Sequence, residues 1–331
     1  MKPADTLLLQ RKEVAALLPL DECIVAVEKA FELYAEGKAL PPGILGIQAQ
    51  DGGFHIKAGI LNLGRNYFVA KANANFPRNQ AQFGLPTIQG VIVVFDARSG
   101  RLLAVMDSIE ITIVRTGAAT AVAAKYLSRA NSKIAMIWGC GNQGRISVRM
   151  LMKVRPLEIV YAYDTDQIQA QKFAKELSAE LKIAVIAVDD PARAVTESDI
   201  CVTCTSSKQP FLHLKDVSPG TFIAAVGADS EEKQELESTL LKTGKLVVDL
   251  MNQSANIGEL HHALQHGLMT RGDVYAELGE IICGRKKGRT TDDEVIIFDS
   301  TGTALQDVAA ATIVYEKAVL SGMGMNLNFA E

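Results

Sequence analysis

No apolar run in the 331-residue chain reaches the roughly 18–20 residues that a membrane-crossing helix needs, and charges interrupt the apolar part of the opening MKPADTLLLQRKEV. The expectation is a protein of the cytoplasm. A basic block is also missing: acids and bases are mixed along the sequence, and the formal net charge is −4. That excludes nucleic acid or an anionic membrane as the main partner. Five irregularly placed cysteines do not build a disulfide framework in a chain of this size. Cys201 and Cys204 form a C-x-x-C, but inside DICVTCTSS, an apolar run that reads as a buried strand and has no second ligand pair for zinc. His261, His262 and His266 in GELHHALQHG lack a third ligand at metal spacing and read as a solvated helix face. Glu277 and Glu280 read as surface charge around a turn. No metal is expected, and neither internal repeats nor low-complexity segments are present.

What is present is ordinary globular composition, 48% hydrophobic and 22% charged, over a length that suits two domains. Residues 17–35 carry apolar side chains at helical spacing behind the capping candidate Asp21 and stop at Gly37. From Gly43 to Met106 the pattern turns to short β-rich runs, with a hairpin turn over Asp96 to Gly100, so an antiparallel sheet is expected. An alanine-rich helix follows over about 112–127. From Ser132 strands and helices alternate as in a doubly wound parallel sheet. A last helical stretch, 303–320, is more than that sheet needs and is expected to fold back onto the N-terminal segment. The expected fold class is therefore α/β: a Rossmann-type doubly wound parallel sheet over 129–303, plus a split α+β domain from 1–128 and 304–331.

The strongest local motif is GCGNQG, from Gly139 through Gly141 to Gly144, placed between the strand KIAMIW and a helix. Such glycines serve a tight turn, a close backbone approach to a pyrophosphate and helix–sheet packing, with the helix N-terminus facing the phosphates. Asp164 ends the next strand twenty residues after Gly144, where an acid binds the adenosine ribose hydroxyls and repels a 2′-phosphate. NAD is thus favoured over NADP. Asp229 follows the strand TFIAA and faces the ligand crevice of a parallel sheet, as a proton shuttle or as the cap of a following helix. Lys71 sits in YFVAKANANF, where alternation turns it inward and burial demands an anionic ligand or a carboxylate. Arg115, among apolar residues, can fork onto a carboxylate or phosphate, or serve a structural ion pair. His55 and Lys57 alternate on one side of a strand and form a substrate-facing candidate pair.

Taken together, LPTIQGVIVVFDARSGRLLAVMDSIEITIVRTGAATAVAAKYL, GCGNQG, TCTSSKQPFL, PGTFIAAVGADSEEKQEL and IIFDSTGTALQDVAAATIVYEKA resemble the ornithine cyclodeaminase/μ-crystallin family through nearly the whole chain. The resemblance implies a homodimer with an NAD(P)-binding Rossmann domain and a split substrate-binding and dimerisation domain. It implies amino-acid dehydrogenation, ketimine reduction or ornithine cyclodeamination, or a non-catalytic crystallin-like nucleotide binder. It also implies that Lys71 approaches the substrate carboxylate or reacting centre, that Asp229 transfers a proton near the amino group, and that Arg115 binds substrate or cofactor by the nicotinamide. Thr87, Asn142, Gln143, Asp164, Thr205, Lys233 and Ser300 match cofactor-lining positions. The chain departs from the ornithine-cyclising pattern at Gly43, where such relatives carry an arginine, and at His55, where they carry an acid. A less basic substrate is expected, with His55 or Lys57 as the cationic partner.

Overall fold

The computed structural model describes residues 5–328. The chain divides into two compact units, one of residues up to Arg115 together with those from Thr303 onward, the other Thr116–Gly302. The expected boundaries stood at 128 and 304; the first division instead falls inside the helix Ile109–Leu127. Its second half is tied into the second unit: the Arg155 guanidinium donates to the carbonyls of Ala124 (2.6 Å), Lys125 (2.8 Å) and Ser128 (3.2 Å). Gly117 lets Ile146 approach where a Cβ would stand 2.9 Å from its side chain. No helix among the described residues is long and apolar enough to cross a membrane.

The first unit is built on strands β1 (Asp5–Leu9), β2 (Gly43–Ala49), β3 (Gly52–Asn62), β4 (Asn66–Asn75), β5 (Ile88–Asp96) and β6 (Leu102–Asp107). Their order across the sheet is β1, β6, β5, β4, β3, β2, and the C-terminal strand Met325–Asn328 is added outside β1. All neighbours are antiparallel except β1 and β6. The expected hairpin turn is held by Asp96, whose Oδ1 accepts the amides of Arg98 (2.8 Å) and Ser99 (3.0 Å), while Gly100 supplies the positive φ of +72°. Alternation along β4 buries Tyr67, Val69, Lys71 and Asn73 and leaves Phe68, Ala70, Ala72 and Ala74 more open. The buried side is covered by the helix Ala304–Ser321, which packs on β3, β4 and the helix Leu20–Ala35. At Gly59 this helix comes so near that a Cβ would touch Ala304, Leu305 and Val308 at 3.4–3.5 Å. The other side is open, and Leu45, Ile47, Phe54 and Val91 there are 45–53% exposed.

A helix not expected, Arg11–Leu17, precedes the expected one, which runs Leu20–Ala35. Pro19 is the N-cap of the second; it lacks an N–H to continue the first helix, and its fixed φ suits a helix start. Asp21 therefore lies in the first turn and is not the cap.

The second unit holds an eight-stranded sheet, parallel throughout. Its strands are β7 (Ile134–Trp138), β8 (Ile159–Tyr163), β9 (Ala184–Ala187), β10 (Ile200–Thr203), β11 (Phe222–Ala225), β12 (Lys245–Val248), β13 (Ala276–Glu277) and β14 (Ile296–Asp299). The spatial order is β13, β12, β14, β11, β10, β7, β8, β9. The chain thus winds outward from β7 in one direction through β8 and in the other through β10. In such sheets the ligand crevice opens beyond the carboxyl ends of the two strands at this switch point.

Candidate functional site

The turn after β7 lies at that switch point. Gly139 has φ +99°, and a Cβ there would stand 2.8 Å from the carbonyl oxygen of Cys204. At Gly144 a Cβ would stand 2.2 Å from the carbonyl oxygen of Gly139. These two glycines close the turn on itself and on the loop after β10. Gly141 differs, because nothing lies within 4 Å of where its Cβ would be. It caps the helix Asn142–Leu151, whose first-turn amides have no partner within the helix. Asp164, just past β8, accepts the Cys140 amide on Oδ2 at 2.8 Å and the Asp166 amide on Oδ1 at 3.0 Å. It is therefore fixed beside the glycine turn, half-buried, where a ribose would lie against that helix start. Among the buried polar atoms of the described residues at this edge, Gln143 Oε1 and Ser300 Oγ have no hydrogen-bond partner. An open glycine, a helix start, a fixed acid and orphaned acceptor and hydroxyl groups are the donor set that a dinucleotide requires.

Buried carboxylates anchor the surrounding loops. Glu235 accepts the Thr205 amide (2.6 Å) and hydroxyl (2.7 Å) on Oε1 and the Gly227 amide (2.9 Å) on Oε2. A Cβ on Gly227 would collide with this carboxylate at 2.4 Å. Glu259 in turn accepts the amides of Glu235 (2.8 Å) and Leu236 (3.1 Å), and Asp299 accepts those of Glu259 (3.2 Å) and Leu260 (3.1 Å). Each acid thus fixes the backbone that carries the next. Burial pushes the carboxyls of Glu235 and Glu259 up, and that of Asp299 up to about 7. Neighbouring acids add to the shift at Glu259.

Asp229 lies exposed in the loop beyond β11, paired with Lys233 at 2.6 Å. No helix starts there; the next one is Ser238–Thr243, so the capping alternative falls away. His262 is buried, and its Nε2 lies 2.8 Å from the Lys233 carbonyl oxygen. This corrects the expectation of a solvated histidine face: one ring of the three braces the Asp229–Lys233 loop, and burial lowers its pKa. Glu277 is likewise no surface charge; it is partly buried and accepts the Met251 amide at 2.7 Å. The thiols of Cys201 and Cys204 are pushed up by burial, the first to about 12.

In the first unit, the helix-covered face of the sheet changes character along its length. Leu61, Tyr67 and Val69 make one end apolar; Lys57, Lys71 and Asn73 make the other polar. Lys71, 3% exposed, donates to Asp307 Oδ1 at 2.9 Å, and Arg115, 5% exposed, reaches the same oxygen through Nε at 3.0 Å. A second Arg115 nitrogen donates to Gln306 Oε1 at 2.7 Å, and Lys71 also lies 3.3 Å from Thr112 Oγ1. Asp307 Oδ2 is buried without a partner. Burial first, then the Arg115 charge, brings the Lys71 ammonium down to about 7. Burial alone would raise the Asp307 carboxyl, but Lys71 and Arg115 outweigh it and hold it low. Lys57 pairs directly across from Lys71 in the register of β3 and β4, and its charge acts on both Lys71 and Asp307. His55, two residues along on the same side and half-buried, pairs across from Asn73.

The ornithine cyclodeaminase/mu-crystallin family model matches residues 4–322. The chain belongs to this family. Three solved members of the ornithine cyclodeaminase/mu-crystallin family superpose on nearly all of it. An archaeal alanine dehydrogenase dimer with bound NAD is 39% identical, with TM-score 0.93, covering 98% of this chain and 99% of that one. The Thermococcus litoralis Δ1-pyrroline-2-carboxylate reductase, in complex with NADH and L-proline, is 34% identical, with TM-score 0.92 and coverage of 97% and 100%. The iminosuccinate reductase of Paracoccus denitrificans, in complex with NAD+, is 33% identical, with TM-score 0.89 and coverage of 98% and 99%.

Of the residues singled out from the sequence of this family member, Gly139, Gly141, Asn142, Gln143, Gly144, Asp164, Thr205 and Ser300 line the carboxyl edge of the parallel sheet. Asp229 and Lys233 form their own pair in the second unit. Lys57, Lys71 and Arg115 share the first unit's cationic cluster, and Thr87 lies exposed just ahead of β5. Sequence reasoning missed Asp307, Gln306 and Glu235. A signal for the first was present, since an acid in LQDVAAAT sits in a helix with apolar residues all round, which is costly unless a cation meets it.

Proposed function

We infer that this chain is an NAD-dependent oxidoreductase that moves hydride between nicotinamide and the Cα of a small amino acid or its imine. The observation that carries this reading is the open Gly141 and helix start beside the fixed Asp164. The three relatives above, each solved with NAD or NADH, support the cofactor. The second unit is then the NAD-binding domain, with Gly139, Gly141, Asn142, Gln143 and Gly144 at the pyrophosphate, Asp164 at the ribose, and Thr205, Lys233 and Ser300 along the remainder; Thr87 of the first unit is a further cofactor residue. When bound, the cofactor supplies or accepts the hydride.

The protein's own part is positioning and proton management. Lys71 and Arg115 are donors held by Asp307 in a nearly dry site, and they bind the substrate carboxylate. Hydride cannot leave a carbon that bears an ammonium group, so the amine must first lose a proton. Asp229 takes that proton in the oxidative direction and returns it to the nitrogen in the reductive one. A cationic cluster holding Lys57, Lys71 and Arg115 repels the second ammonium of a diamino acid, which speaks against ornithine cyclisation. The first unit is the substrate-binding and dimerisation domain, and the exposed apolar residues Leu45, Ile47, Phe54 and Val91 are the surface a second copy covers.

The test is absorbance at 340 nm with NADH, a panel of 2-oxo acids plus ammonium, and cyclic imino acids, and with NAD and amino acids in reverse. Turnover of some member is expected. Tight NADH binding with no turnover across the panel would make the chain a nucleotide binder instead. Asp164→Asn is expected to cut the preference for NAD over NADP by about tenfold or more, read as the ratio of dissociation constants.

A further inference from the structure

The helix Glu259–Gln265 grips the segment that carries Lys233 with two side chains three positions apart, and residues so spaced share one helix face. Glu259 accepts the amides of Glu235 and Leu236, at 2.8 and 3.1 Å. His262 meets the same segment one turn further on, its Nε2 2.8 Å from the Lys233 carbonyl oxygen. A carbonyl oxygen only accepts, so the proton of the neutral ring sits on Nε2, and His262 gives a donor where Glu259 takes two. Burial moves the ring below the usual histidine range, which keeps it neutral. The start of the helix is fixed in turn by Asp299, which accepts the amides of Glu259 and Leu260 at 3.2 and 3.1 Å. What His262 holds by its backbone, Asp229 meets by its side chain: Lys233 Nζ donates to Asp229 Oδ1 at 2.6 Å. The Asp229 side chain is 54% exposed, so packing constrains it little, and the pair with a braced lysine gives it a fixed reference.

We propose that His262 is a positioning residue for proton transfer: its Nε2–H holds the Lys233 backbone, Lys233 holds Asp229, and the carboxylate is thereby kept in place for the exchange of a proton with the substrate nitrogen. His262 touches neither substrate nor cofactor in this role and acts only through Lys233. Its weight comes from the steep dependence of proton transfer on geometry, where a displacement of about 1 Å costs on the order of a hundredfold in rate. This inference rests on the oxidoreductase reading for the role of Asp229, whereas the grip on Lys233 can be tested apart from turnover.

Two variants of the full chain separate positioning from packing. His262→Gln and His262→Asn both put a neutral amide in place of the ring, but only glutamine carries its nitrogen as many bonds from Cβ as Nε2. His262→Asn is expected to lower kcat by about tenfold to a hundredfold, while KM for the substrate, which Lys71 and Arg115 bind, stays within about threefold. His262→Gln is expected to restore most of kcat. Both variants lose the ring's packing alike, so a structural role alone would move them together, and thermal melting with NADH titration verifies that each is folded. Nitrogen NMR of the histidine rings, assigned by the signal lost in His262→Gln, is expected to show a protonated Nε2 and a bare Nδ1 at neutral pH. Amide exchange over residues 229–234 is expected to quicken about tenfold in His262→Asn and to return in His262→Gln. A proton on Nδ1 instead, or equal kcat in the two variants, overturns the proposal. If no member of the substrate panel is turned over, the hydride reading fails and the role given to Asp229 falls with it, while the ring spectrum and amide exchange still decide whether His262 holds Lys233.

Discussion

Thr205 donates both its amide and its hydroxyl to a single oxygen of Glu235, at 2.6 and 2.7 Å. The other oxygen takes the Gly227 amide, so one carboxylate holds the loop after β10 to the loop that leads to Asp229. In Glu235→Gln one of these positions becomes an NH2 group that faces a donor, and a buried N–H is left unpaired. The expected cost is about 1–3 kcal/mol, read by denaturant unfolding, together with weaker NADH binding. An unchanged unfolding midpoint would show that the clamp is not needed.

Asp307 and Lys71 are unequal partners. Removing Asp307 strands two buried cations, and Asp307→Ala is expected to cost about 3–5 kcal/mol. Removing Lys71 leaves Asp307 still paired with Arg115 at 3.0 Å, so Lys71→Met is expected to cost clearly less while abolishing turnover. Chemical denaturation of both variants checks the order, and the reverse order would contradict the charge balance described above.

Sensitivity to rising pH should follow from Asp299. Its folded-state pKa is raised from the usual carboxylate range to about 7 by burial. The folded chain therefore binds a proton that the unfolded chain has lost, and stability contributed by this group grows as pH falls from about 7 toward about 4. Above pH 7 the penalty is fully present. Thermal melts from pH 5 to pH 8 are expected to slope downward with pH, and Asp299→Asn to flatten that slope; an identical slope in the variant would remove Asp299 as its source.

The parts of this molecule that repeat a pattern were legible in the sequence. The alternating strands and helices of the second unit, the glycine turn at Gly139 and the acid at Asp164 are local signals, because each function is met by residues within one strand–turn–helix segment. The inward face of Lys71 was legible for the same reason, from period-two alternation. Its partner was not, since Asp307 lies 236 positions away and only folding brings the two together. His262 misled because its helix is amphipathic on paper; the loop that covers it belongs to Lys233, distant in sequence. The break at Pro19 was written in the sequence, as proline disrupts a continuous helical period.

The split first unit imposes an order on synthesis. Residues leave the ribosome from the N-terminus, and contiguous segments assemble as they emerge. Lys71 and Arg115 are therefore made long before the helix that carries Asp307, and the interrupting segment Thr116–Gly302 is complete before that helix exists. Until that helix is made, Lys71 and Arg115 have no Asp307 to meet them, so a chain cut short of Thr303 is expected to leave the buried cations of the first unit exposed to water and its sheet uncovered.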